Sequence, residues 1–354
     1  MIDAGKDAVA ASATGTHRPD YPNVAEWLAR AASDHWWVKL LDTERDRGVK
    51  RPTCADTVLR RLEELIIAVE TANPEHLGRF RKRFRSDYDL ANLFSIRLEL
   101  LCAANLAFRQ IPFDFGGIAE PDLICYPDID AQGWIEIRSG AFSVFDRLQH
   151  DIEAELVSKN ARLTVRLSKW PLEVNNRNSV RTRVSQAVDT AVKNGTEQVV
   201  TLPELGLDAI GTVRQQGQEI CGSSRISVEQ HGGLMPSHDY LTSLAEKLAM
   251  KVNDEKAGQG RKGSWNPRTM LLIDISRARL TRLLAHNDLA AWLHDANIEW
   301  QDLPFSGVAV CVSDLNSVTI EGVSRYKPGL PDTERGHLEP ILTALNLPAT
   351  QPHQ

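Results

Sequence analysis

The sequence has no apolar run approaching the roughly 20 residues that a membrane-spanning helix needs. It also has no excess of basic charge, since 41 Lys and Arg against 47 Asp and Glu leave a formal net charge of −6. The first absence excludes a helical membrane span. The second removes bulk electrostatics as a sign of a nucleic-acid or membrane partner. Cysteine is scarce: five residues, an odd number, with no CxxC among them, which argues against a disulfide framework and a cysteine zinc knuckle. No GxxxxGK followed by Ser or Thr occurs, and no nucleophile-elbow glycine pattern surrounds Ser223-Ser224. The segment MIDAGKDAVAASATGTHRPD lacks the apolar core of a signal peptide, so a cytoplasmic protein is expected. What is present, 42% hydrophobic and 25% charged side chains over 354 residues, suits a globular chain with a sizeable core.

Residues 1–20 are small and polar and are read as a disordered tail. Residues 21–85 form a helical N-terminal region. The stretch NVAEWLARAASDHWWVKLLDTER reads as one helical segment. ADTVLRRLEELIIAVETA sets Val58, Leu62, Leu65 and Ile66 on one stripe, with Asp56 and Thr57 as caps and Asn73-Pro74 as the stop. The run GRFRKRFR then places Arg79, Arg81, Lys82, Arg83 and Arg85 around Phe80 and Phe84. It fits either a nucleic-acid contact, with cations on phosphates, or a solvated helix face over two buried rings. Residues 87–109 are apolar nearly all round, the mark of a buried helix. Helices alternate with short strands from there on (AEPDLICYP, GWIEIRSG, RLTVRLS, pieces around 197–201 and 225–229, TMLLIDIS and, as the last, FSGVAVCVS). Residues 86–328 are therefore expected to form an α/β domain and 329–354 a C-terminal tail with a short helix and a polar end. One of its elements is a helix near 179–194 that ends at Gly195.

Three carboxylates stand out by their context. Glu99 lies on the apolar face of Ile96, Cys102, Ala103 and Leu106, where an unpaired charge is costly. Asp122 follows a proline at the start of a strand, in Glu120-Pro121-Asp122-Leu123. Glu136 sits in Trp134-Ile135-Glu136-Ile137-Arg138, where alternation puts Glu136 and Arg138 on one face and the isoleucines on the other. Two neighbouring strands can thus aim Asp122 and Glu136 at one point. Oxygen ligands of this kind suit Mg²⁺ or Mn²⁺.

This order, a helix with an inward glutamate, a strand with Pro-Asp and a strand with Glu-x-basic, resembles the PD-(D/E)xK nuclease superfamily over residues 87–170. The resemblance implies a restriction-endonuclease-like mixed central sheet flanked by helices, here with an N-terminal helical layer. It implies metal-dependent cleavage of DNA, with Asp122 and Glu136 as ligands of Mg²⁺ or Mn²⁺ and Glu99 as an auxiliary acid. In that family a lysine two residues after the glutamate activates the attacking water. Arg138 stands there instead, and a guanidinium stays protonated, so it can hold a phosphate but cannot act as a base. Lys256, continuing the stripe of Leu241, Leu244, Leu248 and Val252, together with Gln259, resembles a Lys-Ala-x-Gln helix of divergent relatives. It is the candidate replacement; the alternative is a lysine that complements the helix end.

A second class of function stays open beside the enzyme: a nuclease-fold protein without catalysis, binding nucleic acid or a protein partner. A third is a structural interaction protein that docks through its helical N-terminal layer. His231 and His238, which flank HGGLMPSH, have no partner at metal-ligand spacing. Asp274 in LLIDIS reads as a strand-end residue.

Overall fold

The computed structural model of the chain describes residues 21–33, 35–46, 54–86, 90–117, 120–127, 132–139, 148, 152, 155–156, 159–167, 174, 176–206, 208–215, 226–230, 268–274, 289–290, 293–294, 298, 300, 305–313 and 317–350. The helical layer is α1 (Pro22–Leu28), α2 (Trp36–Asp46), α3 (Cys54–Ala72) and α4 (Leu77–Ser86). The stretch expected as one helix is therefore two. His35, fully buried at the break, accepts the Trp37 N–H on its Nδ1 at 3.3 Å, and its Nε2 lies 3.1 Å from the Phe84 carbonyl. It thereby satisfies an orphan donor at the start of α2. The stripe of α3 is buried as expected, and the helix stops where Asn73 takes φ +50° before Pro74. Asp56 binds Tyr21 and Arg60. α5 (Leu90–Phe108) is buried at every position from Ile96 to Leu106. Its polar members are satisfied there: Arg97 donates to Ser317 O and Asn105 to Val318 O, each at 2.9 Å.

Ten strands follow: β1 (Phe113–Phe115), β2 (Leu123–Cys125), β3 (Gly133–Ser139), β4 (Ala161–Leu167), β5 (Gln198–Thr201), β6 (Ile210–Gln215), β7 (Ile226–Gln230), β8 (Thr269–Asp274), β9 (Gly307–Val312) and β10 (Glu321–Tyr326). Two further helices that the described residues contain from end to end are α6 (Arg177–Asn194) and α7 (Asp332–Ala344). Strands β1, β6 and β10 were not among the expected elements: the first is three residues long, the second carries Gly211 beside polar residues, and the third lies beyond the strand expected as the last. α6 ends as expected, with Gly195 at φ +65°.

The strands form two sheets rather than one. The larger is mixed and runs β1-β2-β3-β8-β9-β10. β1, β2 and β3 make an antiparallel meander, β8 joins β3 in parallel, β9 joins β8 in parallel, and β10 closes antiparallel. α5 and the helical layer share a core with Leu123, Ile135, Ile137, Met270, Leu272 and Ala309. Hence the N-terminal region and the sheet are one packed unit. The second sheet, β5-β6-β4-β7, lies within the crossover between β3 and β8 and has its own core against α6.

The segment expected as a C-terminal tail is also part of the larger core. Leu338, Ile341, Leu342, Leu345 and Leu347 are buried in it. α7 sits so close to β3 that a Cβ on Gly133 would stand 2.3 Å from Ile341 Cδ1. The apolar stripe of α7 has to be covered, and the sheet covers it. Among the described residues, no helix is long and apolar enough to cross a membrane.

Candidate functional site

The turn from β1 to β2 positions the first acid. Gly116 donates its N–H to the Asp122 carbonyl at 3.1 Å, and a Cβ there would stand 1.6 Å from the Pro121 carbonyl oxygen. Only glycine permits so close a return of the chain. The return sets Pro121-Asp122 beside β3, where Leu123 pairs with Ile135 and Cys125 with Gly133. One step further along that register, Asp122 faces Glu136.

Asp122 Oδ2 accepts the Ile137 N–H at 2.7 Å, which fixes the carboxylate against β3. Arg138 Nη1 is 3.8 Å from that same oxygen, while its Nη2 is ion-paired with Glu136 Oε1. Nη1 also donates to the Ile137 carbonyl at 2.9 Å. One guanidinium therefore spans both acids. Glu136 is fully buried, and a buried carboxylate needs such a cation to stay ionised. The structure thus brings together Asp122, Glu136 and Arg138.

Glu99 does not join them. Its side chain is buried and ion-paired with Arg83 of α4, and it makes no hydrogen bond or ion pair with either acid. Topology gives the reason. α5 packs on the sheet face of Ile135 and Ile137, whereas alternation directs Glu136 and Arg138 to the opposite face. The structure thus pairs Glu99 with Arg83 and does not bring it together with the two acids.

That pairing also fixes part of the basic run. Arg83 lies over the Phe80 ring. Arg81 binds Glu26 at 2.7 Å and lies over Trp27. Arg85 Nε donates to the Arg81 carbonyl at 3.3 Å. Phe80 stacks on Phe115 with centroids 4.1 Å apart, and Phe84 packs edge-on to Trp27. Three of the five cations are thus engaged within the chain, above two buried rings; Arg79 and Lys82 are exposed.

Lys256, Gln259, His231 and His238 lie outside the described residues. Asp274 is fully buried at the end of β8. It pairs in register with Ser139 and Cys311, on the α5 side of the sheet. Burial pushes the Cys102 and Cys311 thiols well up, and the charge of Asp274 adds to this in both. These cysteines are free and inert by position.

A group that the sequence reading missed lies at the entry to α4. Ligand atoms of Glu75, His76 and Asp114 fall within 4.8 Å of one another, close enough for a metal ion in principle. Asp114 is already engaged, however. Its Oδ1 accepts the N–H groups of His76 (2.9 Å) and Phe115 (2.8 Å), and its Oδ2 lies 2.5 Å from His76 Nδ1. The carboxylate caps the chain where it enters α4. The signal that the sequence offers is an aspartate between Phe113 and Phe115, whose apolar setting calls for a polar partner. No family model, no curated protein and no solved structure matches the chain.

Proposed function

We propose that this chain is a divalent-metal-dependent phosphodiesterase acting on DNA, with Asp122 and Glu136 as metal ligands and Arg138 as the phosphate-holding cation. The observation that carries the reading is the meeting of Asp122 and Glu136 across β2 and β3, spanned by one guanidinium. The chain order supports a restriction-endonuclease-like core: helix α5, an antiparallel meander bearing Pro-Asp and Glu-x-Arg, then β8 parallel to β3.

The donor set suits the ion, because two carboxylates offer the hard oxygens that Mg²⁺ and Mn²⁺ take. When bound, such an ion polarises a phosphodiester and lowers the pKa of its water. Arg138 would then no longer be needed to neutralise Glu136. Its planar fork matches two phosphate oxygens, and it remains a donor throughout, so the proton of the attacking water leaves to another group.

A second reading has its own observation. The ion pair of Arg138 with Glu136 neutralises the site from within, as suits a nuclease-fold protein that binds nucleic acid or a protein partner without cutting.

Plasmid cleavage in Mg²⁺ or Mn²⁺, with metal binding by calorimetry, decides between them. Asp122→Ala and Glu136→Ala should each lower cleavage by more than about 100-fold, beyond what second-shell changes cost. Wild-type cleavage by both variants would end the assignment. A wild type that neither cuts nor binds metal would leave the second reading.

A further inference from the structure

The four-stranded sheet has one face on α6, and among the described residues no element covers the other. Alternation sends Leu163, Val165 and Leu167 of β4 into the core with Val180, Val184 and Val188 of α6. The same alternation puts Arg162, Thr164 and Arg166 on the other side. Antiparallel register sets these opposite Arg214, Thr212 and Ile210 of β6. Val199 of β5 stands beside Thr212, and Thr201 beside Ile210. Val199 is 68% exposed and Ile210 41%, so this side of the sheet faces solvent.

Two features of the open face point to an anion. Arg162 and Arg214 are direct cross-strand partners, and like charges so placed repel. Neither has an acidic partner among the described residues, and Arg162 Nε, shielded from solvent, makes no hydrogen bond. Arg166 already has a partner within the chain, which leaves the Arg162–Arg214 pair as the positive centre. Arg166 lies four residues along β4 from Arg162, about 13 Å at ~3.3 Å per residue. That is too far for one phosphate to serve both. The described side chains of this face include no aromatic, so it offers no stacking platform for unpaired bases. A polyanion that presents phosphates to the Arg162–Arg214 centre without inserting bases fits these features best.

The geometry points to the open face of this sheet, centred on Arg162 and Arg214, as the surface that receives the phosphate backbone of duplex DNA. It deepens the function proposed above and rests on it only for the choice of DNA as the polyanion.

Fluorescence anisotropy with the full chain and a labelled random-sequence duplex, titrated across salt concentrations, tests it. The Arg162→Gln/Arg214→Gln pair should bind roughly 10-fold more weakly near 0.1 M salt. It should also flatten the plot of log Kobs against log salt by about 1.8, which is two phosphate contacts at about 0.9 each. Arg162→Lys/Arg214→Lys keeps the charge and should keep the slope. Arg181→Gln/Lys193→Gln on α6, which covers the other face of the sheet, should leave affinity and slope unchanged. An unmoved slope in the first pair overturns the proposal, as do absence of duplex binding by the wild type and tighter binding of the single strand. A flattened slope in a protein that never cuts would sink the phosphodiesterase and keep this surface; cleavage with an unmoved slope would do the reverse.

Discussion

The central strands of the six-stranded sheet bury apolar side chains on both faces, with Met270 and Leu272 in the core with α5 and Leu271 and Ile273 buried on the other side. In the four-stranded sheet, β4 alternates between leucine or valine on α6 and arginine or threonine toward solvent. The difference decides what a charge can do in each place. In the first sheet water is excluded, so Glu136 is tied to Arg138 and Asp114 to His76 and the backbone. In the second, Arg162 and Arg214 lie side by side with no acidic partner among the described residues, so they are left to an outside anion. One sheet is therefore suited to holding a fixed polar site and the other to meeting a surface.

The contrast is sharpened most by separating Arg138 from Glu136. Arg138→Met leaves a buried carboxylate without its cation and should lower the free energy of unfolding by about 3 kcal/mol at neutral pH, the lower end of the range for breaking buried pairs. Denaturation with and without Mg²⁺ measures it. If Asp122 and Glu136 hold the ion, Mg²⁺ should restore part of the loss through its binding energy. Equal substitutions in the two settings come next. Leu272→Ala in the doubly covered sheet should cost about 2–5 kcal/mol, whereas Ile210→Ala on the open face should change stability by less than about 0.5 kcal/mol. A cost of several kcal/mol at Ile210 would mean that the face is covered. The smallest effect is expected at the entry to α4. Asp114→Ala removes a cap and should cost about 1–2 kcal/mol, seen as a lower melting temperature with the sheet contacts intact.

How far the sequence could be read follows from the same contrast. β3, β8 and β9 were legible because an unbroken or alternating apolar pattern has one economical reading. The end of α6 at Gly195 and the end of α3 before Pro74 were legible because backbone conformation there depends on one residue type. β1 was not legible, since three residues cannot establish a period, and neither was β6, whose Gly211 lies against Val200 and Leu163 of its neighbours. The break between α1 and α2 was hidden because His35 is a buried cap, and capping by histidine leaves no spacing signature. The acid pair was visible through local order alone, Pro-Asp followed by Glu-x-Arg. The Arg83 partner of Glu99 was not legible, because an apolar helix face shows that a carboxylate needs a partner but not which one.

By itself, then, the sequence determined that the protein is a helix-rich α/β chain with two candidate acids on adjacent strands. Periodicity and turn residues act locally, and that much is local. Only the tertiary structure decided that the strands divide into two sheets, that the C-terminal segment belongs to the core, that Arg83 takes Glu99, and that Arg162 faces Arg214. Those are pairings between residues far apart in the chain. They are fixed by register and by which face is covered, and no window of sequence carries either.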